Sequence, residues 1–142
     1  MRILGLDYGS RRIGVAICDE LGITTRGLCA IERKTLDRDI EEIGQLVEAF
    51  AVEKIVVGYP VTLGGKEGTQ CKKVRAFAEV LESRLSLPVV FWDESLSTKD
   101  AEEILIEADM SRKKRKKVVD RLAAAIILQG YLDHMKRNEN VF

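Results

Sequence analysis

Three acidic side chains stand next to or within apolar segments, where acids are uncommon. Asp7 closes the first apolar run of the chain, Glu94 follows the apolar residues 89–92, and Asp120 lies in the nearly apolar segment 118–132. Hard divalent ions such as Mg²⁺ prefer oxygen ligands, which clustered carboxylates supply. Two such ions about 4 Å apart can activate water and stabilise the leaving oxygen of a phosphodiester. The pattern predicts metal-dependent hydrolysis, with these three acids as catalytic metal ligands.

Two of the acids are expected at the same edge of a sheet. Asp7 and Glu94 each follow an apolar, strand-like run, and sites in open α/β sheets are usually built at the carboxyl ends of the strands. Asp93 is the alternative to Glu94, because consecutive residues at a strand end point in opposite directions. Asp7 could instead satisfy the turn that follows it, and Glu94 could be a solvated loop acid.

The third acid belongs to a predicted helix. By helical spacing, Asp120 shares a face with Ala123, Ala124 and Ile127. The helix around them is nearly apolar and should be largely buried. An unpaired carboxylate would be costly there, so we expect a cation partner or a position at a cleft edge. The alternative is an exposed place in the first helical turn, which the helix dipole favours.

The histidine and the cysteines give no sign of a zinc site. His134 is the only histidine and is predicted to lie on the surface near the end of the last helix. Cys18, Cys29 and Cys71 lack paired spacing and are interpreted as small buried hydrophobic residues in a reducing compartment. Water activated by metal is then the expected nucleophile, with Mg²⁺ as the expected ion and Mn²⁺ as the alternative.

Hydrophobic periodicity predicts the elements that position the acids. We expect strands at 3–8, 13–18, 24–31, 54–58 and 89–92, and helices at 36–50, 71–85, 97–108 and 118–136. Thr35 is the expected N-cap of the first helix. The order predicts an α/β fold with a mixed sheet, an antiparallel three-stranded start followed by parallel strands, and helices on both faces.

Composition is that of one globular domain spanning residues 1–142. Apolar residues make up 46% of the chain and charged residues 32%, which argues against disorder. No apolar run approaches 18 residues and no secretory signal is visible, so a cytoplasmic protein is expected. The formal net charge is zero. Six consecutive cations at 112–117 therefore leave about −6 on the remainder.

Basic side chains near the predicted acids are candidates for binding a nucleic-acid backbone. The alternative for the basic run is an ordinary solvated face. The basic residues are not interleaved with aromatic residues, so the sequence does not predict base stacking. Recognition of nucleic acid should then depend on its backbone and shape. The loop at 60–68 lacks the spacing of a Walker-type phosphate loop. The candidates are Arg11, Arg12, Lys66, Arg112, Lys113, Lys114, Arg115, Lys116 and Lys117.

Four segments resemble the motifs of the YqgF/RuvX family of bacterial proteins. They are LGLDYGS at 4–10 with RIGVA at 12–16, VGYP at 57–60 with EG at 67–68, DE at 93–94 with LST at 96–98, and Asp120 with ILQ at 127–129. The resemblance implies a ribonuclease-H-like fold and a metal-dependent nuclease whose catalytic acids correspond to Asp7, Glu94 and Asp120. It also implies maturation of the 5′ end of pre-16S ribosomal RNA. The family was earlier proposed to resolve Holliday junctions.

The chain departs from the family pattern at two places. Ser95 stands where an arginine often follows the Asp-Glu pair, and residues 64–66 read GGK where Asp-Gly is common. Both positions lie in segments expected to contact substrate, so they bear on substrate details and leave the three acids in place.

Three other functions compete with RNA cleavage. A resolvase of four-way DNA needs two active sites and so favours a symmetric dimer, but the sequence leaves monomer and homodimer open. A sugar-kinase-like or actin-like ATPase would need a second domain to enclose its nucleotide. A non-catalytic RNA- or ribosome-binding module would keep the fold without the chemistry.

Overall fold

A computed structural model describes residues 1–59, 68–93 and 112–139, with only the backbone described at 112–117 and 137–139. This part of the chain contains five strands and three helices, and it begins with three consecutive strands. They are β1 (Ile3–Tyr8), β2 (Arg12–Cys18), β3 (Thr25–Glu32), α1 (Leu36–Ala49), β4 (Lys54–Tyr59), α2 (Thr69–Leu85), β5 (Val89–Asp93) and α3 (Arg112–Glu139).

The strands form one mixed sheet in the order β3-β2-β1-β4-β5. The pairs β1–β2 and β2–β3 are antiparallel, whereas β1–β4 and β4–β5 are parallel. The parallel connections pass through α1 and α2, because parallel neighbours need a crossover. The predicted antiparallel start followed by parallel strands is confirmed.

The two faces of the sheet are covered by different helices. Leu4, Leu6 and Val57 pack with residues of α1 and α2 on one face. Ile3 and Val56, one position along the same strands, pack against α3 on the other face. This alternation assigns every strand residue to a face, since successive side chains point to opposite sides of a sheet.

The start of α1 follows its sequence signal. Thr35 is the N-cap, and its hydroxyl oxygen accepts a hydrogen bond from the Arg38 amide at 3.2 Å. The buried carboxylate of Asp39 accepts one from the Lys34 amide at 3.0 Å. Both bonds satisfy amides near the start of the helix that have no partner within it.

The start of α3 differs from the prediction. This helix was expected to begin at about residue 118 after a separate basic segment, but it begins at Arg112 and includes the whole basic run. Arginine and lysine are good helix formers, and a search for apolar periodicity does not detect helical turns built only from them. Asp120 therefore lies well inside the helix, which rules out the first-turn alternative. The predicted helix at 97–108 lies outside the described residues.

The cysteines are free thiols, as expected from their spacing. Cys18 and Cys71 are buried, and Cys29 is half-buried. The sulfur of Cys18 accepts a hydrogen bond from the Ile3 amide at 3.1 Å. Burial raises the pKa of the Cys29 thiol, with a further rise from the negative charge of Glu42. Cys29 is accordingly held in its unreactive, protonated form.

Candidate active site

Asp7 lies at the carboxyl end of β1, half-buried, on the sheet face that α3 covers. Leu4 and Leu6 belong to the opposite core, so the alternation of β1 places Asp7 with Gly5 on the α3 face. Across the hairpin, Asp7 is paired with Gly14 of β2. Directly opposite residues of antiparallel strands have neighbouring side-chain positions. Whatever covers Gly14 is therefore next to Asp7.

Gly14 is covered by the backbone of α3 at Asp120. A β-carbon built on Gly14 would overlap the carbonyl group of Asp120. Only glycine fits this contact with the backbone unchanged. Since Asp7 is the neighbour of Gly14 on the same face, the contact brings Asp120 to the carboxyl end of β1, beside Asp7.

The same close approach is repeated on the neighbouring strands. A β-carbon on Gly5 of β1 would lie 2.8 Å from the β-carbon of Leu128, and one on Gly27 of β3 would lie 2.9 Å from that of Arg121. Gly5, Gly14 and Gly27 together form what we call the glycine floor. The floor lets α3 rest directly on three adjacent strands, and this fixes the height of Asp120 above the sheet.

Asp120 has the cation partner that its position in a buried helix predicts. Arg12 Nε donates to Asp120 Oδ2 at 2.5 Å, and the two side chains are 21% and 23% exposed. Arg12 lies on the same face as Gly14, two residues along β2, so it reaches Asp120 from the strand below the helix. The pair is partly shielded from water, which makes it stronger than an ion pair on the open surface.

The alternation of side chains along β5 excludes Asp93 from the group formed by Asp7 and Asp120. Trp92 packs with the α3 core, and Phe91 contacts Tyr59, which belongs to the opposite core. By alternation Asp93 lies with Phe91, on the face away from α3. Asp93 is thus on the wrong side of the sheet to join Asp7 and Asp120. Glu94 lies outside the described residues.

The turn between β1 and β2 is held by Arg33, which sequence reasoning did not single out. Its Nη1 donates to the carbonyl oxygens of Gly9 at 2.9 Å and Ser10 at 3.1 Å. Its guanidinium also lies 4.4 Å from the centre of the Tyr8 ring. No sequence signal distinguishes this exposed arginine from other surface cations. The contacts fix the turn that separates Asp7 from Arg12.

We expect Arg33→Gln to lower the free energy of unfolding by about 0.5–1 kcal/mol, because two charge-assisted bonds and one cation–π contact are lost at an exposed site. Urea denaturation measures the change. Lys34→Gln is the matched control, since Lys34 is also exposed and its ion pair with Glu42 is longer, at 3.2 Å. Equal losses in the two variants would contradict a role of Arg33 in holding the turn.

His134 is exposed, as predicted. Its ring lies 5.2 Å from the centre of Trp92, which also meets the edge of Tyr131 at 6.2 Å. Within the described part of the chain, no group of three His, Cys, Asp or Glu side chains is arranged to hold a metal ion. Of the three predicted metal ligands, Asp7 and Asp120 are among the described residues and Glu94 is not.

The candidate basic residues have different positions. Arg11 is exposed in the turn after β1, and its carbonyl oxygen accepts from the Arg33 amide at 2.9 Å. Arg12 is paired with Asp120. Residues 112–117 form the first turns of α3, leading along the helix to Asp120. Their side chains, and Lys66 as a whole, lie outside the described residues, so their contacts with nucleic acid stay predictions.

Among the described helices, none is both long and apolar enough to cross a membrane.

Curated relatives match nearly the whole chain. The protein named "Putative pre-16S rRNA nuclease" from Syntrophus aciditrophicus is 55% identical over 139 residues, covering 98% of this chain and 93% of its own length. A protein of the same name from Halothermothrix orenii is 53% identical over 137 residues, covering 96% of this chain and 98% of its own length.

Solved structures with the same fold are much more distant in sequence. Thermus thermophilus RuvC, in complex with a Holliday junction substrate, matches with a TM-score of 0.58 at 16% identity, covering 96% of each chain. The fowlpox virus resolvase, in complex with Holliday junction DNA, matches with a TM-score of 0.56 at 11% identity, covering 95% of this chain and 99% of its own. Identities this low establish the fold alone.

The mixed sheet and the helices on its two faces are those of the ribonuclease-H-like class. Residues 1–134 match the sequence model of one family within it, described as "RuvX: Holliday junction resolvase", and the chain belongs to that family. The fold and the family predicted from the sequence are both confirmed. So is the enzyme class, because nuclease chemistry, a hydrolytic reaction, is the activity that defines the family.

Proposed function

We propose that this protein is a metal-dependent endonuclease that acts in the 5′-end maturation of pre-16S ribosomal RNA, with Asp7, Glu94 and Asp120 as its catalytic acids. The observation that carries the proposal is the contact of Gly14 with Asp120, which joins two acids from distant parts of the sequence at one sheet edge. The substrate is taken from relatives that are 53–55% identical and carry a pre-16S rRNA nuclease name. We further propose that residues 1–142 act as one domain, in the cytoplasm.

The described acids fit a divalent ion by their chemistry and surroundings. Both are carboxylates, the ligands that Mg²⁺ and Mn²⁺ prefer. The side chain of Asp120 is only 23% exposed, so its carboxylate requires a positive charge beside it, which in the described structure is the Arg12 guanidinium. We propose Glu94 as the third acid, because it follows β5 directly in the sequence and Asp93 lies on the far face.

Each part of the chain then has a separate task. Asp7, Glu94 and Asp120 would hold the metal ion, which would supply the chemistry of water activation and of charge neutralisation at the phosphate. Asp7 holds its ligand position from a rigid strand, and Asp120 from a helix seated on the glycine floor. Sites on strands and helices keep their geometry better than sites on loops. Arg11 and the basic first turns of α3 are proposed to hold the substrate backbone.

The test is cleavage of an end-labelled RNA spanning the pre-16S 5′ junction, with a four-way DNA junction in parallel. Mg²⁺ or Mn²⁺ is added, EDTA is the metal-free control, and products are separated on denaturing gels. We expect internal, metal-dependent cuts in the RNA that Asp7→Asn abolishes. Asp133→Asn is the matched control, because that acid lies on α3 and contacts Gln129 of the same helix at 2.9 Å.

Two other outcomes would change the proposed function. Cuts placed symmetrically in the DNA junction, made by a dimer, would replace RNA processing with junction resolution, the activity in the family description. Binding of the RNA without cleavage under every metal condition, equal in wild type and Asp7→Asn, would indicate a non-catalytic RNA-binding module.

A further inference from the structure

The Arg12–Asp120 ion pair places a protein cation on one of the proposed metal ligands. The bond runs between Arg12 Nε and Asp120 Oδ2 at 2.5 Å, and joins residues 108 positions apart. Such a short charge-assisted bond is among the stronger contacts that side chains make. The bond engages Oδ2 of Asp120 and compensates the negative charge of the carboxylate.

Two acids neighbour Arg12 in the fold, Asp120 and Glu32. Glu32 of β3 is paired directly with Arg12 across the sheet and so lies on the same face. Glu32 is exposed, whereas Asp120 is 23% exposed. A carboxylate that is partly removed from water gains more from a nearby cation than an exposed one does. This explains why the guanidinium contacts Asp120. Glu32 is then a second acid beside Arg12, directly opposite it on β3.

We propose that Arg12 is the internal counter-ion of Asp120 and competes with the divalent ion for this carboxylate. In the metal-free protein Arg12 holds Asp120 in a fixed orientation and balances its charge. A divalent ion at Asp120 adds positive charge to a carboxylate whose charge Arg12 already balances at Oδ2, so the ion pair lowers the metal affinity of the free protein. Arg12 is thus a positioning residue for Asp120. The inference rests on the proposed function, because it assumes that Asp120 is a metal ligand.

The test is equilibrium Mn²⁺ binding without nucleic acid, followed by electron paramagnetic resonance of the free ion. Arg12→Gln removes the competing charge and is expected to tighten Mn²⁺ binding about tenfold. Arg12→Lys keeps the charge and is expected to remain within about threefold of wild type. Circular dichroism and thermal unfolding confirm that each variant is folded. An Arg12→Gln affinity equal to or weaker than that of wild type would overturn the proposal, as would Arg12→Lys binding as tightly as Arg12→Gln.

The chain offers a matched control for the loss of an arginine ion pair. Arg84 Nη1 contacts Asp37 Oδ1 at the same distance, 2.5 Å, between α2 and α1 on the other face of the sheet. Arg84→Gln changes the net charge by the same amount and is expected to leave Mn²⁺ affinity within about twofold of wild type. A tenfold gain in Arg84→Gln as well would overturn the proposal by showing a general charge effect.

A further variant separates this inference from the proposed function. Asp120→Asn should lose most of the Mn²⁺ affinity. If it does, and Arg12→Gln has no effect, the competition is wrong while the metal site stands. If Asp120→Asn binds Mn²⁺ as well as wild type does, the proposed metal site fails and the competition fails with it.

Discussion

Asp120→Asn is expected to reduce the rate of metal-dependent cleavage by about 10³-fold or more, equivalent to about 4 kcal/mol in the activation free energy. The amide keeps the shape of the side chain but removes the negative charge that a divalent ion requires. Asp7→Asn is expected to have an effect of the same size. Single-turnover cleavage with saturating protein measures the chemical step without contributions from product release.

Stability measurements separate loss of charge from loss of structure in the aspartate variants. Asp120→Asn leaves Arg12 facing a neutral group and should lower the free energy of unfolding by about 1 kcal/mol. Thermal unfolding of both variants shows whether loss of cleavage follows from loss of charge or from loss of structure. A folded Asp120→Asn variant that cuts within tenfold of wild type would contradict its catalytic role.

Gly14→Ala is expected to lower the free energy of unfolding by about 3 kcal/mol and the cleavage rate by about 100-fold. A single β-carbon at this position overlaps the Asp120 carbonyl group, so the backbone of β2 or α3 must move. The movement displaces Asp120 from Asp7, and errors of about 1 Å in a catalytic group can cost about two orders of magnitude in rate. Urea denaturation and single-turnover cleavage measure the two effects.

Other glycines provide a graded control for Gly14. A β-carbon on Gly68, the N-cap of α2, would meet no atom within 4 Å, so Gly68→Ala should change stability by a few tenths of a kcal/mol. Gly5→Ala should fall between the two, since its nearest contact is a side-chain carbon at 2.8 Å. If Gly14→Ala were no worse than Gly68→Ala, the glycine floor would not set the position of Asp120.

Local patterns in the sequence were sufficient to predict most of the fold. The alternation at residues 13–18 and the N-cap Thr35 depend on neighbouring residues only, and both match the structure. The start of α3 was predicted wrongly for a local reason. Its first turns consist of basic residues, which form a helix but show no apolar periodicity. The family resemblance supplied the order of the acids independently of these patterns.

The site was predictable only in part, because its geometry depends on tertiary contacts. The cost of a buried charge predicted that Asp120 would have a cation partner or lie at a cleft edge, and Arg12 is such a partner. Nothing local identifies Arg12 as the partner of Asp120 among the 23 lysines and arginines of the chain. The role of Gly14 was hidden for the same reason, since its close contact is with a helix near the other end of the sequence. Contacts of Glu94 and Lys66 stay predictions.

The distance along the chain between the two sides of the site has a consequence for protein synthesis. Arg12 and Asp120 are 108 positions apart, so at about 5–20 residues per second a ribosome makes Asp120 roughly 5–20 s after the β1–β2 hairpin. Until then the face of the sheet that carries Asp7 lacks α3, and a nascent chain lacks one of the proposed catalytic acids. On the proposed function, cleavage is therefore expected only after α3 has been made and has packed on the sheet.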